Sequence, residues 1–152
     1  MANDISASAD VVDVRDIIER FTELEDALIA AYDAEHDALS EDAQAEFMDP
    51  AEWYRVEKDN GNDDAAEFLT LQSLLDDLAG SSGDEQWRGD WYPVTLIHDM
   101  YFEDYARDLA EEIGDVKPSH WPYTCIDWAQ AARELQTDYS TVEYDGSTFW
   151  YR

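Results

Sequence analysis

The sequence predicts an α+β protein that is mainly α, and three observations carry the prediction. From Val11 onward apolar residues recur every three or four positions, the repeat of a helix with one buried face. Extended segments are confined to the last third, which closes on a hairpin signature. The third observation is compositional. A net charge of −29, from 38 acids against 9 Lys and Arg, favours disorder by itself, but 45% hydrophobic residues, including six Trp, nine Tyr and five Phe, offset chain entropy. The 152 residues suit one domain or two small ones with a thin core.

The first element runs from Val11 to about Leu39, with Val14, Ile17, Ile18, Phe21, Leu24, Leu28, Ala31, Tyr32 and Leu39 at helical spacing. At 1.5 Å per residue it is a helix of about 40 Å. Ser40 caps a short second helix through Phe47, with Glu41 and Asp42 in its first turn. Asp49-Pro50-Ala51-Glu52 starts a third: a capping Asp, Pro at the first helical position and an acid three residues past the cap. That helix carries Trp53, Tyr54 and Val56. Asp59 to Asp64 reads as a turn, and a fourth helix follows from about Ala65 to Ala79, burying Phe68, Leu71, Leu74, Leu75 and Leu78 before Gly80 stops it.

Residues 1–80 therefore read as an acidic helical region and 81–90 as a linker to a C-terminal module over 91–152. In that module Trp91 to Ile97 is a short extended segment. Tyr101 to Ile113 is a helix with Phe102, Tyr105, Ala106, Leu109 and Ile113 on its inner face, closed by Gly114. Pro118 and Pro122 hold the next turn open. Thr124, with Asp127 three residues on, caps a helix to about Asp138 that buries Cys125, Trp128, Ala129, Ala132 and Leu135. The chain ends as a hairpin, Thr141 to Tyr144 and Thr148 to Tyr151 around an Asp145-Gly146 turn. No internal repeat is visible.

The charge excludes nucleic acid as a direct ligand, because that binding depends on cations displacing phosphate counterions. Anionic membranes are disfavoured for the same reason. The N-terminal stretch has no basic region and no apolar run, so neither a signal peptide nor a membrane anchor is expected and the location expected is cytoplasmic. A lone cysteine, Cys125, forms no internal disulfide, and His36, His98 and His120 lie in different elements without metal-ligand spacing. No metal or cofactor is expected. His98-Asp99 reads as a surface pair, Asp59 to Asp64 lacks the order of a calcium loop, and the acids are too numerous to nominate a catalytic couple.

Placed at 100° per residue, Asp13, Asp16, Glu19, Glu23, Asp26, Asp33 and Asp37 fall in one stripe of the first helix opposite its apolar stripe. In the later helix Asp104, Asp108, Glu111 and Glu112 share a face. There the pairs four apart repel by a few tenths of a kcal/mol each, and Arg107 relieves only part of it. Ordinary solvated helices alternate Glu with Lys, and this chain has two lysines, Lys58 and Lys117. Duplex DNA carries one charge per about 1.7 Å, so 29 charges match about 50 Å, roughly 14 to 15 base pairs. An elongated acidic protein of this kind fits the basic groove of a DNA-binding protein as a decoy. Adaptation to high salt also yields Asp-rich, Lys-poor chains, in which the acid coats the surface uniformly rather than lining one face.

The last 60 residues carry an acidic helix (Phe102 to Gly114), Trp121-Pro122, Ile126-Asp127-Trp128 leading into Ala131-Ala132-Arg133-Glu134-Leu135, then Asp138-Tyr139 and the Tyr144-Asp145-Gly146 hairpin. In order and spacing, the stretch from about Trp91 to Arg152 resembles the C-terminal part of the ArdA-type antirestriction proteins, small acidic DNA mimics. The resemblance implies a non-catalytic inhibitor, usually an elongated homodimer, that occupies the DNA groove of type I restriction-modification enzymes and protects incoming plasmid or phage DNA. The first 80 residues depart from the family's more mixed N-terminal region. Two alternatives stand beside this reading. One keeps the mimicry but changes the target to another nucleic-acid-binding immune effector, such as a CRISPR complex. The other is an acidic coiled-coil adaptor with Ile17, Phe21, Leu24 and Leu28 at its seam, a pattern that Glu35 interrupts.

Overall fold

Helical periodicity and side-chain caps divide the first half of the chain into four helices, α1 (Val14–Asp37), α2 (Glu41–Ala45), α3 (Pro50–Asp59) and α4 (Asp63–Leu78). A computed structural model describes residues 4–81, 83–114 and 119–152. Ser40 and Asp49 cap α2 and α3 by accepting from the backbone N–H of Ala43 and Glu52, and Pro50 takes the first helical position of α3. Strands β2 (Asp84–Trp87), β3 (Asp90–Tyr92) and β4 (Thr95–His98) follow, then α5 (Phe102–Gly114), α6 (Trp128–Gln136), β5 (Ser140–Tyr144) and β6 (Ser147–Tyr151). A further strand, β1 (Val11–Asp13), precedes α1. The class is mainly-α α+β with a C-terminal hairpin.

The residues form two compact units, one from Arg15 to Asp77 and one joining the segment up to Val14 with Leu78–Arg152. In the first unit Phe21, Leu24 and Leu28 of α1, Trp53 and Tyr54 of α3, and Phe68, Leu71, Leu74 and Leu75 of α4 are buried. Phe21 stacks on Phe68 with ring centroids 4.7 Å apart, and Tyr54 meets the same ring at 4.8 Å. Tyr32 donates to the Met48 carbonyl (2.8 Å) and Trp53 Nε1 donates to Glu35 (3.0 Å). Glu35 thus anchors α3 instead of merely interrupting an apolar seam. Ile17, Phe21, Leu24 and Leu28 are spent on the chain's own interior, at 4% exposure or less, which closes that seam to a coiled-coil partner.

In the second unit the antiparallel sheet runs β1-β4-β6-β5. Ile97 on one face packs with Phe102 and Ala106 of α5 and Ala132 of α6, and Tyr105, Leu135, Tyr139 and Trp150 close around them. Strand alternation sends Val12, Leu96, Phe149 and Val142 to the opposite face, where all four are buried. Tyr144 donates to the Ile5 carbonyl (2.6 Å), tying the N-terminal segment to the hairpin. Burial and the Tyr139 hydroxyl 3.0 Å away push the Tyr105 phenol up to about 12. The Asp145-Gly146 turn has positive φ at both residues, the two-residue geometry that matches strand twist.

Several details differ from the sequence reading, among them Ile113, expected on the inner face of α5 and 75% exposed. Val11 to Asp13 is a strand, since two β-branched valines pair with Leu96 and Ile97 rather than extend α1. Asp13 therefore leaves the helical stripe and sits half-buried opposite Thr95. Residues 84–92, placed mostly in a linker, form the β2–β3 hairpin, and the two compact units meet in sequence near 14 and 78. Finally, α6 starts at Trp128 under Asp127, whose side chain accepts from Gln130 N–H at 3.2 Å, so Thr124 and Cys125 fall in an exposed 3₁₀ turn before it. A carboxylate one residue before the helix outcompetes a hydroxyl four residues before it. Ala129 is exposed, Trp128 and Leu135 are half-buried, and only Ala132 of the expected inner face is fully buried. Pro118 lies outside the described residues. Asp127→Ala should cost about 1 kcal/mol in urea unfolding, a typical cap loss, while Thr124→Ala should cost under about 0.5 kcal/mol.

Candidate acidic interaction surface

The apolar and acidic stripes of α1 share one repeat. Ile17, Phe21, Leu24 and Leu28 step by four and three, and Asp16, Glu19, Glu23, Asp26, Asp33 and Asp37 follow the same rhythm about half a turn away. At 100° per residue the six acids fall within an arc of about 100°, centred opposite the buried face. Glu19, Glu23, Asp26, Asp33 and Asp37 are exposed and Asp16 is half-exposed. From Phe21 to Asp37 the helix contains no Lys or Arg. Within the column Arg20 reaches Glu23 at 3.5 Å and His36 Nδ1 lies 3.2 Å from Asp37.

Arg20 is committed elsewhere. Its guanidinium forks onto Glu67 of α4 at 2.8 and 2.9 Å, which holds the Glu67 carboxyl below its ordinary range and raises the arginine's own value. Arg20 thus bolts two helices together while also reaching Glu23 of the outer face.

On α5, Asp104, Asp108 and Glu112 are exposed and Glu111 is half-buried. Arg107 lies 3.9 Å from Glu103 and 4.0 Å from Asp104, while its guanidinium sits 5.5 Å from the centre of the Trp128 ring. Asp108 accepts from the Tyr101 hydroxyl at 3.2 Å, and burial together with that acceptor raises the Tyr101 phenol. Asp104 suits the positive N-terminal end of the helix. Glu111 and Glu112 oppose the negative end, where the last turn has no basic residue. The two acid sets belong to different units, so the structure groups each on its own helix.

The histidines are distributed as the sequence suggests. His36 stacks near Tyr32 and Phe47, His98 Nδ1 accepts from Met100 N–H at 3.0 Å as a cap, and His120 is exposed. Among the described residues no group of three or more His, Cys, Asp or Glu is placed to hold a metal ion. Cys125, expected to be buried, is exposed. Sequence reasoning missed the β2–β3 hairpin with its exposed Trp91; the signal was the Arg88-Gly89 pair between Gln86-Trp87 and Trp91-Tyr92.

Two measurements check these electrostatics. A variant with Asp104→Asn, Asp108→Asn, Glu111→Gln and Glu112→Gln should unfold at higher urea by roughly 0.5–1 kcal/mol at low ionic strength, a gain that shrinks at high salt. Glu67→Gln should lose about 0.5–1 kcal/mol at neutral pH, a modest figure because both partners are more than one-third exposed. Since the folded carboxyl titrates below the unfolded one, that stabilisation is present above the unfolded value of about 4.3 and fades as pH falls through the folded value. The difference between variant and parent should therefore close in acid. Among the described residues no helix is long and apolar enough to cross a membrane. No protein-family model matches the chain, and comparison with curated proteins and with solved structures gives no match.

Proposed function

We propose that the chain is a non-catalytic DNA mimic that binds a type I restriction-modification enzyme in its DNA-binding groove, in the manner of the antirestriction proteins its last third resembles. The observation that carries the reading is the α1 column: six carboxylates on one exposed face, with no Lys or Arg from Phe21 to Asp37. From Asp16 to Asp37 the helix rises about 30 Å, so the column bears one charge per roughly 6 Å. A single DNA strand bears one per about 3.4 Å of axis and the duplex one per about 1.7 Å. One helix therefore stands in for part of one backbone, at about half the charge density of a single strand. A rigid helix holds its carboxylates without ordering them on binding, which favours association over a flexible acidic tail. The site of action is the cytoplasm of the cell receiving the DNA, and a homodimer would present the column twice.

Displacement of a fluorescent duplex from a purified type I methyltransferase tests the proposal. The protein should compete at low salt and lose affinity steeply as salt rises. Amide substitutions at Glu19, Glu23, Asp26, Asp33 and Asp37 should weaken competition by about tenfold or more, and the α5 quadruple variant should also weaken it. Absence of displacement at any salt refutes the assignment to this enzyme class. Undiminished competition by the α1 variant moves the contact to other acids.

A further inference from the structure

His98 ends β4, and a single 3₁₀ turn, Asp99–Tyr101, leads from it into α5. Its backbone is extended and its Nδ1 accepts from the Met100 N–H at 3.0 Å, so an imidazole nitrogen takes the place of the usual capping oxygen. The half-buried ring meets Phe149 of β6 edge to face, with centroids 5.1 Å apart, and the His98 N–H donates to the Asp10 carbonyl at 2.8 Å. The capped turn is tied to two other elements. Asp99 accepts from the Trp150 indole N–H of β6 at 2.9 Å, and the Tyr101 hydroxyl donates to Asp108 of α5 at 3.2 Å.

A ring nitrogen accepts a hydrogen bond only through its lone pair. In the imidazolium both nitrogens are donors, so a protonated His98 would set one N–H against another, that of Met100. We infer that His98 is a proton-operated latch on the turn between β4 and α5. Neutral, it caps Met100 and holds the turn in register with β6 and α5; protonated, it releases the Met100 N–H and loosens the link from Trp150 to Asp99. Histidine is the side chain whose charge ordinarily changes between about pH 5 and 8, so mild acid is the signal. The titratable groups around the ring are Asp10 on the β1 side, Asp99 and Tyr101 in the turn, and Tyr144 of β5 beyond Phe149, which itself brings no charge. The carboxylates of Asp10 and Asp99 attract the proton that the Met100 N–H excludes, so the two states are set against each other at one ring. The latch needs no partner and stands whether or not the chain is a DNA mimic.

Solution NMR of the full chain from about pH 8 to about pH 5 is the test, following the His98 ring, the Met100 amide and the Trp150 indole N–H in one titration. The Met100 and Trp150 signals should move with the same midpoint as the His98 ring. As pH falls, the protection of the Met100 amide against hydrogen exchange, taken relative to the unfolded chain, should drop about fivefold or more, as one hydrogen bond is lost. Leu24, buried in α1, should keep its protection. His98→Asn supplies a capping oxygen that does not titrate, so its Met100 protection should stay level across the range, whereas His98→Ala should show the low value at both ends. A Met100 or Trp150 midpoint that departs from that of the His98 ring overturns the latch. So does a drop in His98→Asn as large as the parent's, which assigns the change to the carboxylates. A parallel loss at Leu24 overturns it in favour of global unfolding. If circular dichroism shows either variant unfolded, the shared midpoint in the parent decides alone.

Discussion

Like-charge repulsion is the constraint to which the rest of this structure answers. Acids outnumber cations in both units, so compaction draws carboxylates together wherever helices meet solvent. Each exposed repulsive pair costs only a few tenths of a kcal/mol, whereas each fully buried large apolar side chain contributes about 1.5–3 kcal/mol. A modest number of well-buried rings therefore outweighs many small repulsions. Phe68, Phe102 and Phe149 are all below 2% exposure, and each lies beside other aromatic side chains. The scarce cations follow the same economy. Arg20 and Arg107 serve the scaffold, one as a fork between α1 and α4 and the other between the α5 acids and Trp128.

On α1 the alignment of charge is a by-product of the core. A helix whose buried residues keep strict four-and-three spacing has an outer face with the same spacing, and whatever occupies that face is lined up. Placing acids there needs no separate device. This explains why the column follows the helix axis and why Glu19, Glu23, Asp26, Asp33 and Asp37 remain exposed.

Elements defined by nearby residues were legible in the sequence. The caps at Ser40 and Asp49, the apolar faces of α1 and α4, and the Asp145-Gly146 hairpin all rest on interactions a few residues apart. What failed to show depends on distant partners or on competition between similar signals. Val11 and Val12 run into the helix that follows with no Gly or Pro between them, and pairing with β4 makes them a strand. Arg88-Gly89 is an uncommon turn pair whose left-handed Arg is supported by its own stacking on Trp87. Thr124 and Asp127 are both capping residues, and geometry chose the second. The acidic stripe itself was readable at 100° per residue, apart from Asp13, but the links from Tyr101 to Asp108 and from Arg20 to Glu67 were not.

The pairing of β1 with β4 sets an order of events during synthesis. Val11 and Val12 are made more than eighty positions before their partners Ile97 and Leu96, and β6, which completes the ladder on β4, is made later still. The helices from Arg15 to Asp77 need no such wait, because their contacts lie within one contiguous stretch. The nascent chain thus carries a formed helical unit between an early strand still without its sheet and a late strand not yet built.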